Sequence, residues 1–146
     1  MSEFKRILIP TDGSEFTKAA IENGLLLAKL SGGKATALYV LDQSIYSRSH
    51  VDSAVANIYD TLEREGRFAT GYVLDRGKEI GVEVEEKIVE GAPARVIAQE
   101  SQGYDVIVMG TLGRTGMSKL LMGSVAEKVI KESMCPVMVV RSVPSK

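Results

Sequence analysis

Short runs of apolar and β-branched residues alternate along the chain with longer stretches of helical period, and this alternation restricts the possible folds more than any other feature. Strands separated by helices pair in parallel, because each helix returns the chain to the same end of the sheet. Five strands are predicted, over residues 6–9, 34–41, 82–89, 106–109 and 137–141. Helices are predicted between them, over residues 15–30, 51–80, 93–103 and 124–132. The pattern predicts a single α/β domain over residues 1–146.

The loops that leave the first and fourth strands carry the residues best placed to bind a ligand. Residues 10–14 (Pro-Thr-Asp-Gly-Ser) follow the first strand, and residues 110–124 follow the fourth. In an open parallel sheet, ligands bind beyond the carboxyl ends of the strands, where the order of connection reverses. A strand order of 3-2-1-4-5 keeps every crossover right-handed and opens both loops onto one crevice.

The second loop has the spacing Gly110-x2-Gly113-x9-Gly123-Ser124. Glycines let backbone N–H groups approach phosphate oxygens without a Cβ in the way. Ser124 would lie at the N-terminus of the last helix, where unpaired N–H groups and the helix dipole favour an anion. The same residues also fit a purely structural interpretation, in which the glycines form turns and Ser124 forms a capping box with Glu127.

Asp12 likewise has two compatible interpretations. Residues 11–14 can form a turn that caps the first helix. The Asp12 carboxylate could also accept hydrogen bonds from ribose hydroxyls or assist a metal–phosphate pair. Val40, at the end of the second strand, would either contact a base ring or belong to the core, and Met109 fits a gap-filling core residue.

Charge and the scarcity of cysteine and histidine exclude several classes of protein. The chain has 18 Lys and Arg against 19 Asp and Glu, a net charge of −1, which argues against a protein that coats nucleic acid. One cysteine, Cys135, excludes a disulfide within the chain, and one cysteine with one histidine argues against a structural zinc site. A catalytic pair would need His50, which we expect in an exposed loop. We predict no metal-ligating side chains, signal peptide or membrane span, and a cytoplasmic protein.

Four segments together resemble the universal stress proteins: residues 6–14, Gly91-x-Pro93, the Gly110 to Ser124 motif, and Val137–Val140 after Cys135-Pro136. The resemblance covers essentially the whole chain. It implies a Rossmann-like three-layer α/β sandwich with a five-stranded parallel sheet and helices on both faces. It also implies a homodimer joined through the last strand, residues 137–143.

The glycine-and-serine motif marks the branch of that family that binds ATP. The residues that the resemblance places at an adenine nucleotide, ATP or AMP, are Pro10, Thr11, Asp12, Val40, Met109, Gly110, Gly113, Arg114, Gly123, Ser124 and Val125. The glycines, Ser124 and the backbone of Val125 would hold the phosphates, Asp12 would contact the ribose, and Pro10, Val40 and Met109 would line the adenine site. Arg114 would add positive charge, as its position in the loop suggests. Magnesium or manganese would be held mainly by the phosphates.

We therefore expect a nucleotide-binding regulatory or stress-response protein, not an enzyme, with at most weak or partner-dependent ATP hydrolysis. Efficient phosphoryl transfer needs a positioned water, a base or orienting group and charge stabilisation, and Asp12 is the one carboxylate predicted near the site. Two alternatives remain open from the sequence. One is a slow ATP hydrolase or phosphotransferase, and the other is a nucleotide-free dimeric interaction module.

Overall fold

A computed structural model describes residues 3–46, 52–112 and 122–142, so that His50, Gly113, Arg114 and Val143 lie outside the described residues. The strands are β1 (Arg6–Pro10), β2 (Lys34–Asp42), β3 (Val84–Gly91), β4 (Val106–Gly110) and β5 (Val137–Val140). The helices are α1 (Lys18–Ser31), α2 (Gln43–Tyr46), α3 (Asp52–Ile80), α4 (Pro93–Glu100) and α5 (Ser124–Glu132).

The five strands form one parallel sheet in the order β3-β2-β1-β4-β5. β1 lies at the centre, where Ile7 pairs with Ala35 of β2 on one side and with Val106 of β4 on the other. The chain builds outward from β1 through β2 to β3 and then crosses to the other side of β1 to form β4 and β5. The predicted order 3-2-1-4-5 is confirmed.

Successive side chains of each strand face opposite layers of helix, as the pleat of a strand requires. Ile7 and Ile9 of β1 belong to a core shared with α1 and α3, whereas Leu8 belongs to a core shared with α4 and α5. Both cores contain fully buried side chains, including Leu25 on the first face and Val129 on the second. The fold is the Rossmann-like three-layer sandwich that the family resemblance implies.

α3 continues without a break past its internal glycines, of which Gly66 and Gly77 lie against the sheet. A Cβ added to Gly66 would be 2.6 Å from Cδ1 of the Tyr39 ring on β2, so only glycine lets the helix approach this closely. A Cβ added to Gly71 would meet nothing within 4 Å. Within residues 3–46, 52–112 and 122–142, no helix, α3 included, is both long and apolar enough to span a membrane.

Several boundaries differ from the prediction. A 3-10 turn over Glu15–Thr17 precedes α1, so the first α-helix begins at Lys18, not at residue 15. β3 begins at Val84, not at residue 82, because Gly81 adopts a left-handed φ of 80° and the Val82 N–H donates back to the Gly77 carbonyl at 2.8 Å. The short helix α2 was not predicted.

The two edges of the described sheet differ in chemistry. The solvent-exposed residues of β3 are Glu85, Glu86, Lys87 and Glu90. β5 is a run of Val and Met in which Met138 is 41% exposed. An edge strand is a template for further pairing, and charged side chains are one way in which proteins block such pairing. The sheet therefore has one charged edge and one apolar edge.

Candidate functional site

The carboxyl ends of β1 and β4 lie side by side, and a cavity of about 310 Å³ opens above them. The sheet order reverses between these two strands, which is where open α/β sheets bind ligands. The volume lies at the lower end of the range for small-molecule pockets. Its lining includes Pro10, Thr11 and Asp12 after β1, Gly110, Thr111 and Leu112 after β4, and Gly123, Ser124, Val125 and Ala126 at the start of α5.

The structure brings most of the predicted site residues together around this cavity. Those that line it are Pro10, Thr11, Asp12, Val40, Met109, Gly110, Gly123, Ser124 and Val125. Gly113 and Arg114 lie outside the described residues. The residues converge because all strands of a parallel sheet have their carboxyl ends on the same side of the domain.

A network of hydrogen bonds holds the loop that carries Asp12. The Thr11 hydroxyl lies 3.0 Å from the buried Thr17 hydroxyl, which also donates to the Ser14 carbonyl at 2.9 Å. The Ser14 N–H donates to Oδ1 of Asp12 at 2.9 Å, and Gly13 adopts a left-handed φ of 82°. The predicted turn is therefore confirmed, and it fixes the Asp12 side chain at the rim of the cavity. The predicted capping is not found, because Ser14, the N-cap of the 3-10 turn, and Thr17, the N-cap of α1, make no side-chain capping bond.

α5 begins with its first N–H groups at the cavity. Gly123 is the N-cap and Ser124 the first helical residue, and no side-chain capping bond is present. The predicted capping box of Ser124 with Glu127 is therefore wrong, because Ser124 lies one position too far along the helix to cap it. The Gly123 N–H donates to the Thr111 carbonyl at 2.6 Å. The first bond of the helix runs from the Glu127 N–H to the Gly123 carbonyl, so the N–H groups of Ser124, Val125 and Ala126 have no acceptor within the helix and can serve an anion.

Gly110 is a glycine for a reason that sequence spacing did not reveal. A Cβ at this position would lie 2.9 Å from the Phe16 carbonyl oxygen, in the 3-10 turn that follows the Asp12 loop. That contact is with backbone and cannot be relieved by a rotamer change. The small size of Gly110 therefore allows the two loops to approach each other.

The rest of the lining is mainly apolar. Leu38 and Val40 of β2, Ile97 of α4 and Met109 of β4 supply one wall, and they belong to the core on the α4 and α5 face. Further lining residues were not predicted from the sequence, among them Asp42, Ile45, Leu62, Pro93 and Ile97. The rule that ligands bind at strand ends could have found Asp42, which ends β2. Ile45 and Leu62 lie on helices whose position over the sheet depends on tertiary packing.

Shifted pKa values occur elsewhere in the fold, at ion pairs and at a partly buried thiol. A hydrogen bond from Arg76 lowers the pKa of Glu22, and this pair links α1 to α3. A hydrogen bond to Glu100 raises the pKa of Lys87. Burial raises the pKa of the Cys135 thiol. The Glu22–Arg76 pair thus connects α1 with α3, and the Lys87–Glu100 pair connects β3 with α4.

Comparison with known proteins gives a consistent result. The model of the Universal stress protein family matches residues 3–141. Universal stress protein MJ0531 of Methanocaldococcus jannaschii is 39% identical over 140 residues, which cover 94% of this chain and 82% of that protein. The solved structure of MJ0577, a universal stress protein of the same organism, is 31% identical, covers 99% of this chain and 100% of that chain, and has a TM-score of 0.86.

A more distant solved structure shares the fold and holds a ligand. It is a universal stress protein family member from Arabidopsis thaliana with AMP bound, 22% identical, and the match covers 97% of each chain with a TM-score of 0.70. At that identity the likeness concerns the fold. The family model and the relative at 39% identity decide the classification. The chain belongs to the universal stress protein family.

Proposed function

We propose that this protein binds an adenine nucleotide, ATP or AMP, in the cavity above β1 and β4, and acts as a regulatory stress-response protein. The N–H groups of Ser124 and Val125 bind the phosphates together with Gly110, Gly113, Gly123 and Arg114. Asp12, beside Thr11, accepts hydrogen bonds from the ribose. Pro10, Val40 and Met109 contact the base, and magnesium or manganese is carried by the phosphates.

The main support for this proposal is the order in which N–H donors, a carboxylate and apolar side chains follow one another along the rim of the cavity. The start of α5 and the loop after β4 provide N–H donors for anionic groups. Asp12 follows β1, the neighbouring strand, and the apolar Val40 is on β2, the next strand. Donor, carboxylate and apolar wall thus follow one another as phosphate, ribose and base do in a nucleotide. The AMP in the Arabidopsis protein of the same fold supports this assignment.

We propose binding without efficient hydrolysis. Rapid phosphoryl transfer requires a group that orients the attacking water and charges that stabilise the transition state. The Asp12 carboxylate already closes its own turn through Ser14 and has a use at the ribose. A turnover above about 1 per second in pure protein, the low end for kinases, would contradict this part of the proposal.

We also propose a homodimer that forms through β5 and residues 137–143, and a cytoplasmic location. The apolar edge formed by β5, with Met138 41% exposed, supports the dimer. Native mass spectrometry of protein purified gently from cells tests both the dimer and the ligand. A dimer that carries ATP or AMP is expected. An empty dimer that gains no thermal stability from millimolar ATP with magnesium would favour the interaction module instead.

Gly123→Val is the sharpest variant for the phosphate site. Gly123 has φ −76° and ψ 164°, which valine adopts without strain, so we expect the variant to fold. Its side chain obstructs the approach of phosphate to the start of α5, and we expect nucleotide affinity to fall sharply in calorimetry. Gly103→Val is the matched control, because Gly103 precedes β4 at the opposite end of the sheet and a Cβ there meets nothing within 4 Å. A loss of affinity in both variants, or unfolding of Gly123→Val alone, would contradict the assignment.

Asp12→Asn tests the ribose contact, because the amide oxygen can still accept from the Ser14 N–H and keep the turn. We expect the variant to weaken the binding of nucleotides more than the binding of inorganic phosphate, which has no ribose. Equal losses for the two ligands would remove Asp12 from its proposed role.

A further inference from the structure

Asp42 places a carboxylate at the end of an apolar row that lines the cavity. Leu38, Val40 and Asp42 are alternate residues of β2 and therefore project from the same face of the sheet. All three line the cavity, and the first two pack in the core on the α4 and α5 face. A third apolar residue would continue this wall, so the charged residue requires its own explanation.

The Asp42 side chain is fixed in orientation. Its Oδ1 accepts from the Ser44 N–H at 3.0 Å and from the Ser44 hydroxyl at 2.7 Å, which caps the short helix α2. Within the part of the chain that the structure describes, Oδ2 has no hydrogen-bond partner. An ionised carboxylate only accepts hydrogen bonds, so the free oxygen fits a donor on a ligand. A group held by two bonds is already oriented before a ligand arrives, which lowers the entropic cost of binding.

The position of Asp42 selects which part of a nucleotide it can meet. β2 is two strands from β4, which is about 10 Å at the usual strand spacing. Phosphates at the start of α5 are therefore distant from Asp42, and like charge would keep them away. In the nucleotide orientation proposed above, the group beside Leu38, Val40 and Asp42 is the base.

We propose that Asp42 recognises the 6-amino group of the purine and makes the site selective for adenine, an inference that rests on the proposed nucleotide site. The 6-amino group donates to Oδ2 in a charge-assisted hydrogen bond, which is stronger than a neutral one. A purine without this group leaves the carboxylate unpaired in the complex. A purine with a 6-oxo group places one acceptor against another, and both cases lower affinity.

Calorimetric titration of the full chain with GTP and with three other triphosphates that carry different groups at purine position 6 tests this inference. The three are ATP, purine riboside triphosphate, which has hydrogen at position 6, and inosine triphosphate, which has an oxo group. We expect wild-type protein to bind ATP about tenfold more tightly than the other two, the usual range for one charged hydrogen bond. Asp42→Ala should bring ATP and purine riboside triphosphate within about threefold of each other, since the charged bond is gone.

Asp42→Asn separates recognition from folding. Its amide oxygen can still accept from Ser44, while its NH₂ group donates where the carboxylate accepted. We expect this variant to bind inosine triphosphate more tightly than wild-type protein does and to lose its preference for ATP, a gain that a damaged protein would not show.

The outcomes distinguish this inference from the proposed function. Failure of ATP to bind wild-type protein would overturn both. If wild type, Asp42→Ala and Asp42→Asn all bind ATP with the same preference over the other triphosphates, the proposed role of Asp42 is wrong. The proposed nucleotide site would not be affected by that result. Tighter wild-type binding of GTP than of ATP would show that the carboxylate recognises the N1 and 2-amino edge of guanine, which also overturns the inference.

Discussion

Two glycines of the same helix, Gly66 and Gly71, should respond in opposite directions to replacement by alanine. Alanine is favoured over glycine by about 1 kcal/mol in a helix interior, and this gain applies equally at both positions of α3. The positions differ only in what a new Cβ meets. At Gly71 it meets nothing within 4 Å, so Gly71→Ala should stabilise the protein by about 1 kcal/mol.

At Gly66 the new methyl group would overlap the ring of Tyr39. The Cβ of an alanine here would lie 2.6, 3.0 and 3.2 Å from three ring atoms, and Tyr39 is only 3% exposed, so the ring has little room to move. Overpacking a core costs about 1–3 kcal/mol, and a clash with three atoms of a buried ring belongs at the upper end. The gain in helix propensity of about 1 kcal/mol offsets part of this cost of about 3 kcal/mol. Gly66→Ala should therefore destabilise the protein by about 2 kcal/mol.

Urea unfolding of both variants measures the difference, which should be about 3 kcal/mol between them. The midpoints should move in opposite directions while the m-value stays constant, because the surface exposed on unfolding is unchanged. If Gly66→Ala is as stable as Gly71→Ala, then α3 does not lie on Tyr39 as described and the packing argument is refuted. A changed m-value would instead indicate that the variant has lost the compactness of the native state.

The remaining predictions concern charge, hydroxyl and thiol groups. Because Arg76 lowers the pKa of Glu22 in the folded state, their interaction stabilises the protein above the ordinary Glu pKa of 4.5 and is lost as the pH falls through the folded pKa. Thermal melts of wild type and Arg76→Met should therefore differ at neutral pH and converge in acid, and a constant difference would contradict the linkage. Thr17→Val should destabilise the protein by about 1–3 kcal/mol in urea unfolding, since it leaves the Thr11 hydroxyl and the Ser14 carbonyl with one partner fewer, and an unchanged midpoint would refute the network. Since burial raises the pKa of Cys135, its alkylation by iodoacetamide at pH 8 should be slower than that of free cysteine, and an equal rate would show an accessible thiolate.

The fold could be predicted from the sequence because its signals are local and repeated. Runs such as Val106–Gly110, apolar throughout, identify a strand covered on both faces, and the right-handed crossover rule restricts the order of strands. The boundaries were less predictable where backbone geometry decides them. The start of β3 depends on a left-handed Gly81, and the start of α1 depends on a 3-10 turn that Thr17 supports through its hydroxyl.

The candidate site could be predicted in part for the same reason. Residues at the ends of β1, β2 and β4 converge because the strands are parallel, and the spacing of the glycines marked the loop. The separate roles of Gly110 and Gly123 could not be predicted without the three-dimensional structure. Gly110 is small because the Phe16 carbonyl is close, and Gly123 caps α5 while its own N–H is committed to Thr111. Both contacts join segments that are far apart along the chain, and spacing within one loop contains no information about them.

The unequal edges of the sheet limit how copies of this chain can associate. Pairing through strands needs an edge that accepts another edge, and in the described sheet the exposed side chains of β3 are charged, whereas β5 is a run of Val and Met. In the homodimer proposed above, a contact between two β5 strands would be symmetric and would cover the apolar edge of both copies at once. Growth by this route would then stop at a closed pair, so that an apolar edge strand need not lead to a filament.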